Sequence, residues 1–258
     1  DAIVGHDSKD STSINKVPAS YADSLNKDIK GLKIGVPKEY FESGVDPKVL
    51  DCIKKSLLVF ETLGATVSET SLPLTKYALA VYYILAPSEA SANLSRYDGV
   101  KYGYSYPNAE TIWDAMEKTR QYGFGPEVSR RIMLGTYALS AGYYDAYYVK
   151  AQKVRTLIRN EFSCAFNDYD ILITPTSPSI AFLIGEKTHD PLQMYLNDIC
   201  TIPANIAGIP AMSIPSGFSE GMPVGMQIMG NYFSENVILN AAYAFEQATE
   251  WHTMRPSL

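Results

Sequence analysis

Arg130 and Arg131 stand side by side in an otherwise apolar stretch that continues Ile132-Met-Leu-Gly-Thr-Tyr-Ala-Leu139. Adjacent residues on a helix point about 100° apart, so only one of the two guanidinium groups faces solvent easily. The other needs an anion, because an unpaired buried charge is costly. That anion is either a carboxylate of the chain, giving a structural ion pair, or a ligand carboxylate held in a guanidinium fork. Asp198 poses the same question with opposite sign. It lies in Met194-Tyr-Leu-Asn-Asp-Ile-Cys-Thr-Ile202, a mostly apolar run. There a lone carboxylate either caps something, pairs with a cation of the chain, or receives a ligand ammonium.

Nucleophiles are plentiful as residue types and poor as motifs. Ser177 in Pro-Thr-Ser-Pro and Ser216 in Pro-Ser-Gly lie near expected strand ends. Neither stands in a Gly-x-Ser-x-Gly elbow, and Pro-Ser-Gly reads as a plain turn. His6, His189 and His252 are far apart and offer no evident base. They also lack the i, i+4 spacing of a zinc site. Cys52, Cys164 and Cys200 form no Cys-x-x-Cys pair, which argues against a disulfide framework and for a reducing cytoplasm. No Gly-x-x-x-x-Gly-Lys-Ser/Thr loop occurs, which argues against ATP chemistry in this chain. Among the 19 tyrosines, Tyr143, Tyr144, Tyr147 and Tyr148 pair at i, i+4 and precede Lys150, Lys153 and Arg155. Such a pattern either stacks on nucleic acid or packs phenol rings along an amphipathic helix with their hydroxyls at its boundary. The net charge of −6 favours the second reading.

The elements that must position these groups follow from periodicity and punctuation. Leu32-Lys-Ile-Gly-Val36 reads as a short buried strand ended by Pro37. Asp46-Pro47 starts a helix, with Asp as cap and Pro at the first helical position. Leu50, Ile53, Leu57, Phe60 and Leu63 carry that helix to Gly64, and 65–72 returns as a strand. A strand–helix–strand opening of this kind begins a layered α/β domain. Residues 76–169 hold little strand signal. Residues 77–94 are apolar, with a break or kink expected at Pro87. Residues 111–122 form a helix, and 127–166 is helical with breaks at Gly135 and Gly142. Strand character resumes at Asp170-Ile-Leu-Ile-Thr174. A helix is expected over 191–207, a central strand at 211–215, its neighbour at 222–230, and a final amphipathic helix over 235–251.

The 258 residues suffice for a sizeable core, and the 46% hydrophobic fraction excludes a disordered or fibrous chain. Charged residues make up 19%, below the roughly 25% of soluble domains. The shortfall predicts surface that something else covers. No apolar run approaches the roughly 20 residues of a membrane span, and no secretory signal pattern opens the chain. The start at Asp1 predicts that an upstream segment was removed or left out.

Four segments together carry a resemblance. They are Asp28-Ile-Lys-Gly-Leu-Lys-Ile-Gly-Val-Pro-Lys-Glu-Tyr40, Ser88-Glu-Ala-Ser-Ala-Asn-Leu-Ser-Arg-Tyr-Asp-Gly99, Arg130-Arg-Ile-Met-Leu-Gly-Thr136 with Gly142-Tyr-Tyr-Asp-Ala-Tyr-Tyr148, and Tyr195-Leu-Asn-Asp-Ile-Cys-Thr-Ile-Pro-Ala-Asn-Ile-Ala-Gly-Ile-Pro210. The chain resembles the amidase signature family and, within it, the A subunits of tRNA-dependent amidotransferases, over their carboxyl-terminal half. The first and last segments suit amidases in general. The Ser-Glu-Ala-Ser-Ala-Asn and Gly-Tyr-Tyr-Asp-Ala-Tyr-Tyr segments are particular to the tRNA-dependent branch. The resemblance implies an α/β fold with a mixed β-sheet core flanked by helices and a helical insertion. Residues 1–30 would be a connecting segment and 31–258 the carboxyl-terminal part of the amidase domain, with the helical block at about 76–169.

The family cleaves an amide with a Lys and two Ser residues, the acylated Ser being the nucleophile, in a Gly/Ser-rich signature of its amino-terminal half. This sequence has no Gly-Gly-Ser-Ser-Gly-Gly stretch, so no catalytic residue is assigned to it. The resemblance instead puts the glutamine-binding Arg at Arg131, the Asp at Asp198 and a pocket Tyr at Tyr82. Free glutamine is a zwitterion, and a selective site wants a cation for its carboxylate and an anion for its ammonium. By resemblance the chain needs no cofactor of its own. It would have the B and C subunits of the amidotransferase as partners, in the cytoplasm and with no membrane contact. The B subunit would use ATP and Mg²⁺ on Glu-tRNA(Gln), and the small C subunit would help hold the other two together. Two other readings use the same residues: an amidase of this family acting on a simpler amide, and a catalytically silent interaction module.

Overall fold

A computed structural model describes residues 1–16, 20–41, 44–186 and 191–256. The chain divides into two compact units. One comprises Asp1–Lys76 with Arg159–Leu258, the other Tyr77–Ile158.

The larger unit is built on a five-stranded mixed sheet. A one-turn helix α1 (Tyr21–Ser24) precedes β1 (Lys33–Pro37), which pairs in parallel with β2 (Thr66–Thr70). Helix α2 (Pro47–Thr62) makes the crossover between them. It starts as its sequence dictates: the Asp46 carboxylate accepts the Lys48 N–H at 2.8 Å, and Pro47 fills the first turn. Gly64, at φ +92°, follows its end. Strand β3 (Ile171–Pro175) pairs in parallel with β1 and antiparallel with β5 (Met222–Gly230), and β5 in turn with β4 (Ala211–Ser219). The strand order is therefore β2-β1-β3-β5-β4. Alternation along β3 and β5 sends Ile171, Ile173, Met226 and Ile228 to one face. They join Ile34, Ile53 and Phe60 of the core, and Phe245 of α9 (Glu235–Ala248). Phe60 and Phe245 stack at 5.2 Å between centroids.

Three expectations change here. The apolar 211–215 segment predicts a central strand, yet β4 is the sheet edge; its cover comes from α2, whose Ser56 hydroxyl donates to the Ser216 carbonyl at 3.1 Å. Pro-Ser-Gly is not a turn but part of β4, at a register shift between Pro215 and Gly217. The helix expected over 191–207 is two short ones, α7 (Pro191–Leu196) and α8 (Ile202–Ala207). Pro203 in the first turn of α8 lacks the N–H that a continuous helix would need. Gly208, at φ +75°, closes α8.

The smaller unit is helical. It contains α3 (Ala78–Leu94), α4 (Ile112–Gly123) and α5 (Pro126–Leu139), then a π-turn over Asp145–Val149. Helix α6 (Lys150–Ala165) begins in this unit and ends in the other. Thr111 caps α4 through the Asp114 N–H, and Arg120 of α4 donates to the Leu94 and Tyr97 carbonyls at the end of α3 and beyond it. Pro87 does not break α3, which runs through it. Gly135 does not break α5 either; it lies buried inside the helix. Its role is contact. A Cβ at Gly135 would stand 1.9 Å from the Pro87 carbonyl oxygen and 2.7 Å from the Ser91 Cβ. Beside it the Ser91 and Thr136 hydroxyls meet at 2.9 Å.

Gly135→Ala separates propensity from packing. Alanine gains about 1 kcal/mol in a helix interior, but here it drives a methyl group into rigid backbone. The expected net effect is a loss of about 2 kcal/mol or more, read as a lower urea midpoint for the helical unit. An unchanged or raised midpoint would show that α3 and α5 separate freely.

Candidate functional site

Helix α5 opens with Gly125-Pro126-Glu127, placing an acid in its first turn where the helix dipole favours it. Glu127 precedes Arg130 by three residues and Arg131 by four, so on the helix surface it neighbours both, with one arginine to either side. Arg130 Nη1 donates to Glu127 Oε2, and Arg131 Nε donates to Oε1 at 2.9 Å. Both adjacent arginines thus use one carboxylate of the chain. They are not equivalent. The Arg130 side chain is 47% exposed, whereas that of Arg131 is 31% exposed and turned toward α3. There Arg131 Nη1 donates to the Tyr82 hydroxyl at 3.3 Å, and the guanidinium lies 5.9 Å from the Tyr83 ring centroid. Tyr82 and Tyr83 meet edge to face at 5.0 Å.

The hydrogen bond to Glu127 holds the Arg131 guanidinium more firmly protonated than usual, against the opposing effect of burial, and Tyr82 adds to it. Of its five N–H donors, Glu127 and Tyr82 take one each. The two on Nη2 have no hydrogen-bond partner among the described residues. Glu127, Arg130 and Arg131 together carry a net charge of +1. This corner of the helical unit can therefore accept one carboxylate, with the phenol of Tyr82 fixing the orientation of the fork.

Asp198 belongs to the larger unit, in the turn between α7 and α8. Its carbonyl accepts the Thr201 and Ile202 N–H groups at 3.1 and 3.0 Å, and its own N–H donates to the Tyr195 carbonyl at 3.2 Å. The apolar run around it suggests burial, but Asp198 is exposed, as are Leu196 and Ile199. Its carboxylate has no hydrogen-bond partner among the described residues. Two residues on, Cys200 is buried, and burial pushes its thiol up to about 12. The Cys200 carbonyl accepts from the buried Gln227 side chain at 3.0 Å.

The structure thus joins Arg131 to Tyr82 and adds Glu127, a residue that the sequence signals only through its i+3 and i+4 spacing to the two arginines. Other candidates find structural uses. The Ser216 hydroxyl is buried and donates to the Val224 carbonyl at 3.1 Å. Ser177 is half-buried beyond the end of β3. His6 and His252 are exposed, and His189 lies outside the described residues. Among the described residues no group of three or more His, Cys, Asp or Glu side chains could hold a metal ion, and no helix is long and apolar enough to cross a membrane. The tyrosine run packs ring on ring: Tyr144 stacks on Tyr148 at 5.3 Å, and Tyr137, Tyr143 and Tyr147 form a partly exposed trio. The Tyr143 hydroxyl and its neighbours push the Tyr137 phenol up to about 12.

Residues 1–239 match the sequence profile of the amidase family. Over all 258 residues the chain is 62% identical to the A subunit of glutamyl-tRNA(Gln) amidotransferase from Dehalococcoides mccartyi strain 195, of which it covers 53%. It is 58% identical to the same subunit of Moorella thermoacetica, again covering 53%. Among solved structures, that of the corresponding Thermotoga maritima subunit superposes with a TM-score of 0.70 at 39% identity, over 95% of this chain and 47% of that one. The chain spans about half the length of the relatives it matches.

The environments of the three thiols make a labelling prediction. Cys164 is exposed, whereas Cys52 and Cys200 are buried with raised thiol pKa values. Thiolate is the reactive form, so iodoacetamide at neutral pH should alkylate Cys164 in the folded chain. Cys200 should react only after denaturation. Peptide mapping that finds Cys200 labelled as fast as Cys164 would contradict a closed turn between α7 and α8.

Proposed function

The chain belongs to the amidase family, and on that premise we propose that it is the carboxyl-terminal part of the glutamine-hydrolysing subunit of a glutamyl-tRNA(Gln) amidotransferase. The observation that supports this most is the 62% identity to such a subunit over the whole of this chain. The intact subunit would hydrolyse glutamine and release ammonia for converting Glu-tRNA(Gln) to Gln-tRNA(Gln) in the cytoplasm. The B subunit would perform the ATP- and Mg²⁺-dependent amidation and hold most of the tRNA, and the C subunit would brace the other two against each other.

In this proposal the chain contributes binding and not bond cleavage. The Ser-Ser-Lys machinery has no counterpart in its sequence, which lacks the Gly/Ser-rich signature. Arg131 would take the α-carboxylate of glutamine through its remaining N–H donors, steadied by Tyr82. Asp198 would take the α-ammonium. Charge-assisted hydrogen bonds are worth about 1.5–3 kcal/mol each, and only a zwitterion uses both. For a simple aliphatic amide the same two charges would bring desolvation without return.

In the full-length subunit, Arg131→Ala and Asp198→Ala should each raise the KM for glutamine by roughly 10- to 100-fold, with a smaller effect on kcat. That split marks loss of binding common to ground and transition states. Unchanged glutamine kinetics in both variants would rule out the zwitterion clamp. The 258-residue chain by itself should release no ammonia from glutamine above the level of its Arg131→Ala variant. Turnover that this substitution abolishes would place cleavage within the chain and overturn the division of labour.

A further inference from the structure

Gln227 is a polar residue in the middle of β5, and it is 4% exposed. It stands opposite Thr174 of β3 in the antiparallel register. Its Nε2 donates to Thr174 Oγ1 at 2.9 Å and to the Cys200 carbonyl at 3.0 Å. The polarity of this contact is forced. The single Thr174 hydroxyl proton goes to the Pro175 carbonyl at 3.1 Å, so its oxygen can only accept from Gln227. A backbone carbonyl also only accepts. Two acceptors facing one buried side chain require an NH₂ group, which neither a carboxylate nor a thioether supplies.

The Cys200 carbonyl lies two residues past Asp198, inside the turn that Thr201 and Ile202 close onto the Asp198 carbonyl. The far end of α8 is tied as well, since the Tyr232 hydroxyl donates to the Ala207 carbonyl at 2.7 Å. With both ends held, the Asp198 backbone has little freedom to shift against the sheet. Its side chain, by contrast, has no local partner among the described residues to fix it. Its placement is inherited from the turn.

We infer that Gln227 is a positioning residue: by holding the Cys200 carbonyl it sets where the Asp198 carboxylate stands, and so the selectivity for a substrate bearing an α-ammonium. This rests on the proposed role of Asp198. Gln227 touches no substrate in this scheme and acts only through the turn.

The test compares glutamine with glutaramate, which keeps the carboxylate and the amide but lacks the ammonium, as substrates of the full-length subunit in its assembled enzyme. Asp198→Ala is the reference and should abolish most of the preference for glutamine. Gln227→Met fills the same space without donors. It should lower the glutamine-to-glutaramate ratio of kcat/KM by about tenfold. The double variant should lose no more than Asp198→Ala alone, because both act on one contact. Gln227→Glu supplies a second readout that does not depend on Gln227→Met folding. Its protonated form donates where its carboxylate cannot, so the preference should recover as pH falls, unlike that of the parent enzyme. An undiminished ratio in Gln227→Met, a double variant whose loss is the product of the two single losses, or a pH profile of Gln227→Glu parallel to the parent would overturn the inference. Undiminished preference in Asp198→Ala would instead overturn the glutamine clamp on which it rests.

Discussion

The larger unit depends on a strand with no solvent face. All five residues of β3 are buried, and the strand is paired on both sides, in parallel with β1 and antiparallel with β5. Such a strand can leave no backbone group unsatisfied. Its start is secured by Asp170, whose carboxylate accepts the Lys33 N–H at 2.8 Å while its own N–H donates to the Lys33 carbonyl at 2.9 Å. One face carries Ile171 and Ile173 into the core with α2 and α9. The other face carries Leu172 and Thr174, and Thr174 is where the apolar sheet first turns polar. Strand direction, core and the seat of the Asp198 turn thus meet in one five-residue segment.

Elements whose signals are local are legible in the sequence. Helix α2 is readable from Asp46-Pro47, its apolar spacing and Gly64, because caps and periodicity are written within one element. Strand β4 defeats such a reading for a physical reason. Apolar composition reports how much of a strand is covered but not by what, and its cover is the α2 side chains rather than a second strand. At Pro87 a break is the local expectation. The helix continues instead, with the Ser88 hydroxyl donating to the Ile84 carbonyl at 2.6 Å just past the proline. Gly135 reads as a break because glycine is weak in helices; the helix tolerates it because the backbone of α3 comes too close for any side chain.

The site is legible in residue types and not in environments. Arg131 and Asp198 announce themselves as charges in apolar runs, yet the run around Asp198 is apolar and exposed together. The same is true of Trp113 and Met133, which are 74% and 71% exposed. A chain with few charges shows its deficit as bare apolar side chains, so apolar context is a poor guide to burial here. Glu127 can be found from helix spacing. The tie from Gln227 cannot, since a backbone carbonyl 27 residues distant carries no signature in its side chain.

The pairing of Arg131 with Glu127 would argue against a ligand role if the cation were thereby spent on its anion. Geometry and charge answer differently. Glu127 engages Nε, which blocks a side-on approach through that edge of the guanidinium, while among the described residues the Nη2 corner keeps both donors. Because Glu127 is shared with Arg130, the three groups retain one positive charge rather than none. The carboxylate thus acts as a splint: it fixes the χ angles of a long side chain before a ligand arrives, which lowers the ordering entropy lost on binding. An arginine left unpaired would hold more charge but would have to be ordered by the ligand itself. A fork held in place by Glu127 and Tyr82, with one net charge to offer, suits a single carboxylate better than a phosphate or a polyanion. In the proposed function that single carboxylate is the α-carboxylate of glutamine.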